Sequence, residues 1–82
     1  MEEILISEED KKRLVVGYKQ VSKAKKNGIC VKIFVAADSS SNIIDSLTDD
    51  ENIEIVSVPT MRELGNACEI DVPSSCAAII RL

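Results

Sequence analysis

The sequence predicts an α/β protein, a three-layer α/β/α sandwich with a small mixed sheet, built as one domain over residues 1–82. Three observations predict it. Short, β-branched apolar runs at 30–36, 53–58 and 76–82 have the length and composition of buried strands. The segments between them carry helix start and stop signals, and strands that alternate with helices assemble into a parallel or mixed sheet covered on both faces. The 82 residues are 45% apolar with only Tyr18 and Phe34 aromatic, which fits one small aliphatic core and is too apolar for disorder.

The elements follow in chain order. Ser7-Glu8-Glu9-Asp10 reads as a helix start, a hydroxyl N-cap with acids facing the positive end of the helix dipole. Leu14 and Val15 supply the buried stripe of that helix, and Gly17 breaks it. A second helix runs over 18–27 and closes on Gly28 as a C-terminal cap. The strand at 30–36 gives way to a polar turn, Ala37-Asp38-Ser39-Ser40-Ser41-Asn42, and a short helix over 43–47. An acidic loop, Thr48-Asp49-Asp50-Glu51-Asn52, leads to the strand at 53–58, which Pro59 keeps from continuing in a central position. Thr60 and Glu63 have the spacing of a capping box for a helix that ends near Ala67 or Cys68. A loop over 69–75 precedes the last strand.

Charge is unevenly spread. Residues 11–32 hold eight of the ten cations and no carboxylate, while the rest of the chain holds all fourteen carboxylates and only Arg62 and Arg81. The net charge of −4 is thus +8 in one block and −12 elsewhere (8 − 14 + 2 = −4). Such a division suggests a face aimed at an anionic partner and a remainder that keeps the protein in solution. Lys19, Lys23 and Lys26, at i, i+4 and i+7, share one face of the second helix, with Val21 and Ala24 opposite. Crowded cations weaken an isolated helix by about a few tenths of a kcal/mol per pair. A solvated lysine face and an anion-binding face both fit this pattern. Lys25 adds to the field along the same helix. If the helix opens just after Gly17, its free N–H groups favour phosphate, and Lys19 and Gln20 at that end can read base edges through their donor and acceptor atoms.

Several function classes are disfavoured. No apolar run approaches the ~20 residues that span a bilayer, and Met1-Glu2-Glu3 is acidic where a secretory signal is basic. Three cysteines, Cys30, Cys68 and Cys76, make no disulfide framework and lack both the spacing and the histidines of a zinc site. They read as small buried residues of a cytoplasmic protein. Asp49-Asp50-Glu51 has no nucleophile or ligand beside it, no phosphate-binding loop of the GxxxxGK type occurs, and no cofactor, metal or catalytic activity is expected. Two aromatics are too few for a platform that stacks single-stranded bases.

Gly17-Tyr18-Lys19-Gln20-x-x-Lys23 resembles the signature of the kink-turn-binding ribosomal-protein family, the L7Ae and L30e types and their small bacterial relatives. Glu63-Leu64-Gly65-Asn66-Ala67-Cys68, then Ile70-Asp71-Val72-Pro73, then Ala77-Ala78-Ile79-Ile80 extend the resemblance in order and spacing from about Ser7 to Leu82. It implies an α/β/α sandwich that binds RNA kink-turns, helices sharply bent at a short bulge beside tandem sheared G·A pairs. The family contacts those guanines with its glycine-plus-polar motif, which maps onto Gly17, Lys19, Gln20 and Lys23; Tyr18 and Lys26 complete the expected RNA-binding set on this helix. A loop after the fourth helix wraps a base flipped out of the bulge, which maps onto Ile70, Val72 and Pro73, with Glu69 at its start also in the expected RNA-binding set. The expected partner is a structured RNA, ribosomal or a messenger leader, bound by a monomer. A bulge also opens the otherwise closed A-form major groove.

The sequence departs from the family pattern at four places. Tyr18 stands where many members have threonine and Lys19 where asparagine is common. Asn66 removes a frequent lysine, and Glu69 replaces a frequent glycine, which predicts strain in the loop and repulsion of phosphate. A protein-interaction module of the same fold, its RNA surface drifted and its lysines facing an acidic partner, is the alternative these departures support.

Overall fold

The computed structural model describes residues 8–49 and 52–81. Ser7 as N-cap, the acidic start Met1-Glu2-Glu3, Asp50 and Glu51 of the acidic loop, and Leu82 lie outside the described residues. The elements are α1 (Glu8–Lys11), β1 (Leu14–Val16), α2 (Tyr18–Lys26), β2 (Cys30–Ala36), α3 (Ser41–Leu47), β3 (Glu54–Val58), α4 (Met61–Ala67) and β4 (Cys76–Ile80).

One expectation is corrected. Leu14 and Val15 are not the stripe of a first helix. α1 is four residues long and buries nothing, and Leu14-Val15-Val16 is an edge strand paired antiparallel with Ile79, Ala78 and Ala77. The reason is a period of two. Leu14 and Val16 pack against one core and Val15 against the other, which no helical face can do. Three residues of alternation are too few to stand out in a sequence beside a strong helix-start signal.

The other elements form for the reasons their residues give. α2 has no side-chain cap and begins on Gly17; it ends on Asn27, with Gly28 beyond it at φ 71. Ser40 caps α3 by accepting from the Ile43 N–H, and Thr60 caps α4 by accepting from the Glu63 N–H at 3.1 Å. Asp38 Oδ1 accepts from the Met61 N–H at 2.8 Å, so the turn after β2 also helps to seat α4. Caps of this kind are worth about 1 kcal/mol each.

The sheet order is β1-β4-β2-β3, with β2 and β3 parallel and β4 antiparallel to both of its neighbours. The sheet is therefore mixed. Val21 of α2, Leu47 of α3, Ile33, Cys76 and Ala78 fill one face, while Leu64 of α4 and Cys68, which caps its C-terminus, meet Phe34, Ala36, Val58, Ala77 and Ile79 on the other. Burying each of the larger aliphatic side chains contributes about 1.5–3 kcal/mol. These are the three expected layers. Cys68 and Cys76 are buried and Cys30 half-buried, and burial pushes all three thiols above their ordinary pKa.

Topology decides where a site can form. Because β4 runs against the other three strands, the C-terminal ends of β1, β2 and β3 and the N-terminal end of β4 share one end of the sheet. α2, α3 and α4 start at that end, and the loop from α4 returns to it.

Candidate nucleic-acid interface

Gly17 joins β1 to α2 at φ 98, ψ 150, a region closed to residues with a Cβ. Its N–H donates to the Cys76 carbonyl at 3.0 Å, and its own carbonyl accepts the first helical bond from Val21. The start of α2 is thereby fastened to the start of β4, where the loop over 69–75 ends. No acid stands in the first turn of α2, so its unpaired N–H groups present positive potential outward. Gly17→Ala is expected to cost about 1–3 kcal/mol through backbone strain, read as a lower melting temperature by circular dichroism; an unchanged melt would mean this turn relaxes freely.

Lys19, Gln20, Lys23 and Lys26 are exposed, while Val21 and Ala24 are buried beneath them. The fold sorts the basic block into two sets. Lys11 pairs with Glu69 and Glu8, Arg13 with Glu9, Lys25 with Asp49 and Lys32 with Glu54. Lys12, Lys19, Lys23 and Lys26 have no carboxylate partner among the described residues, and the last three lie on α2. Lys25 is thus corrected out of the outward field: its Nζ donates to the Ser46 carbonyl at 2.6 Å and to Asp49, on the α3 side. Tyr18 also turns to α3, its hydroxyl 3.0 Å from Ser46 Oγ.

The loop after α4 doubles back along that helix. The Ile70 N–H donates to the Gly65 carbonyl and the Ser74 N–H to the Met61 carbonyl. An ideal Cβ on Gly65 would stand 2.3 Å from the Val72 carbonyl oxygen, so only glycine lets the loop lie this close. Ser74, 5% exposed, donates through Oγ to the Cys76 carbonyl at 2.7 Å. Ile70 packs inward on the α4-side core, whereas Val72, 63% exposed, and Pro73 face outward. Glu69 stands at φ 60, the strain expected where the resemblance has a frequent glycine, and accepts a hydrogen bond from Lys11 Nζ at 2.9 Å.

Of the residues singled out in the sequence, Gly17, Tyr18, Lys19 and Gln20 open α2 at the same end of the sheet to which the Val72-Pro73 loop returns. Lys23 and Lys26 continue down the helix and Glu69 sits at the far end of the loop. The roles of Gly65, Ser74 and Asp38 were missed; a glycine inside a helical pattern was the one available signal, since it costs the helix about 1 kcal/mol and asks for a packing reason. Among the described residues no group of three or more His, Cys, Asp or Glu could hold a metal ion, and no helix is long and apolar enough to cross a membrane.

The family model described as the ribosomal protein L7Ae/L30e/S12e/Gadd45 family matches residues 1–82. The chain belongs to this family. An RNA-binding protein of a Geobacillus species is 38% identical over 72 residues, covering 84% of this chain and 88% of that protein. The RNA-binding protein YbxF of Geobacillus stearothermophilus is 35% identical over the same length, with the same coverage. Among solved structures, the Giardia lamblia 15.5kD RNA binding protein superposes with a TM-score of 0.70 at 24% identity; the match covers 87% of this chain and 62% of that one. A Bacillus halodurans protein of unknown function superposes at 0.75 and 22% identity, covering 85% and 73%. At these identities the two structures establish the L7Ae-family fold and no more.

Proposed function

We propose that this L7Ae-family chain is a non-catalytic RNA-binding protein that recognises and stabilises a sharply bent RNA with tandem sheared G·A pairs. It acts as a cytoplasmic monomer on ribosomal RNA or a structured messenger leader. The observation that carries the reading is the pairing pattern of the basic block: of the four cations it leaves without carboxylates among the described residues, Lys19, Lys23 and Lys26 share the outward face of α2, and Lys12 alone lies elsewhere. The names of the bacterial relatives, which call them RNA-binding proteins, support the RNA half of it. The kink-turn half rests on the Gly17-to-Lys23 signature and on the Val72-Pro73 loop returning to the same end of the sheet. A bent RNA brings two backbones together, and a lysine face offsets their repulsion.

Gel shifts on a kink-turn duplex, beside a variant whose G·A pairs are made canonical, test this directly. Retention of the first and loss of the second is expected. Equal retention of both would reduce the protein to a phosphate binder, and retention of neither would favour the protein-interaction module, its RNA surface drifted, that Glu69, Asn66 and the net charge of −4 support.

Salt supplies an independent check. Neutralising about three phosphates with Lys19, Lys23 and Lys26 should give log K against log salt a slope of about −2 to −3. A flat titration would remove the electrostatic part of the reading.

A further inference from the structure

Glu69 is the one acidic member of the predicted contact set, and the fold does not leave it bare. Its backbone stands at φ 60, where a residue with a Cβ is disfavoured. Its carboxylate accepts from Lys11 Nζ at 2.9 Å, and the same Nζ lies 3.6 Å from Glu8 Oε1. That hydrogen bond to Glu69, ahead of the desolvation that opposes it, raises the Lys11 pKa above its ordinary value. Exposed pairs of this kind add little to folding stability and are screened by salt. The consequence of the pair must therefore be sought in the field and placement of the loop. Asp71, two residues on, is exposed and has no ion-pair partner among the described residues, so pairing Glu69 removes half of this short segment's negative charge.

We infer that Lys11 is a positioning residue for RNA binding: through Glu69 it neutralises and holds the start of the contact loop from the far end, with no contact of its own to the RNA. This rests on the RNA-binding reading above. Lys11 lies outside every motif that carries the family resemblance, and its role follows from the 58-residue separation that the fold closes between it and Glu69.

The test uses the full chain and three variants, Lys11→Met, Glu69→Gln and the double substitution, on a kink-turn duplex with tandem G·A pairs and a fully paired control. Lys11→Met should weaken kink-turn binding by roughly three- to tenfold at low salt, with the gap closing as salt rises. Glu69→Gln should bind at least as tightly as the unsubstituted protein. The double variant should return to the level of Glu69→Gln, because no charge is left to neutralise, and all four proteins should melt at nearly the same temperature. A double variant as weak as Lys11→Met, an unaffected Lys11→Met, or affinities that merely follow losses of stability would each overturn the inference. If the unsubstituted protein does not prefer the kinked duplex, the RNA reading fails and takes this inference with it; preference without rescue removes this inference alone.

Discussion

Replacing Gly65 by alanine is expected to destabilise the protein by about 1–3 kcal/mol and to abolish its preference for kinked RNA. Two effects of opposite sign compete. Alanine is the better helix former by about 1 kcal/mol, so propensity alone predicts a more stable α4. Packing predicts the reverse. The new Cβ would meet the Val72 carbonyl oxygen at 2.3 Å, its carbon at 3.2 Å and the Pro73 Cα at 3.3 Å, all of them backbone atoms that cannot swing aside as a side chain can. Either α4 lifts from the sheet and uncovers Leu64, or the loop lifts from α4 and gives up the bond from the Ser74 N–H to the Met61 carbonyl. Relief by either route moves Val72 and Pro73. Thermal melts should fall by about 4–8 °C for each kcal/mol lost, and the gel shift should fail even well below the melting temperature. A variant that melts higher than the unsubstituted protein would mean propensity wins and the loop is not seated on Gly65.

The sequence made most of this fold legible because its signals are local and agree with one another. Strand β2 begins and ends where the β-branched run does, and Thr60 and Gly28 stand at the helix ends their residue types announce, whereas α3 starts at Ser41 behind a Ser40 cap, two residues earlier than a turn of serines suggests. Strand β1 was hidden for a physical reason. Three residues gain their identity from pairing with Ile79, Ala78 and Ala77, more than sixty positions away, and nothing local distinguishes them from a helix's last turn. The same distance limit explains the site. The helix face of Lys19, Lys23 and Lys26 follows from spacing, but which cations remain unpaired depends on Asp49, Glu54 and Glu69, each brought in by tertiary structure. Lys25 sits beside Lys26 in sequence and is spent on α3 in space. The strain at Glu69 follows from the resemblance, in which glycine is frequent at that position, whereas its salt bridge to Lys11 follows from neither residue type nor resemblance.

Substituting alanine for both Lys19 and Gln20 should weaken kink-turn binding by tenfold or more while leaving the melting temperature nearly unchanged. Both side chains are exposed and make no hydrogen bond or ion pair among the described residues, and alanine suits a helix at least as well as either. Folding therefore has little to lose. Binding has more: a well-placed contact to a base edge is worth about 1–3 kcal/mol, and the two residues stand in the first turn of α2, where Gly17 fixes the helix start. Lys26→Ala is the necessary companion. It removes a charge from the same helix two turns away, so it should weaken kinked and fully paired duplexes alike and make the salt slope shallower by a little under one. The contrast between the two variants separates recognition from attraction. If the double variant lowers affinity for both duplexes equally, Lys19 and Gln20 act only through charge and position, and the base contacts must be sought elsewhere on this end of the sheet. If it changes neither affinity, the start of α2 does not touch the RNA, and the glycine at its head is there for the turn alone.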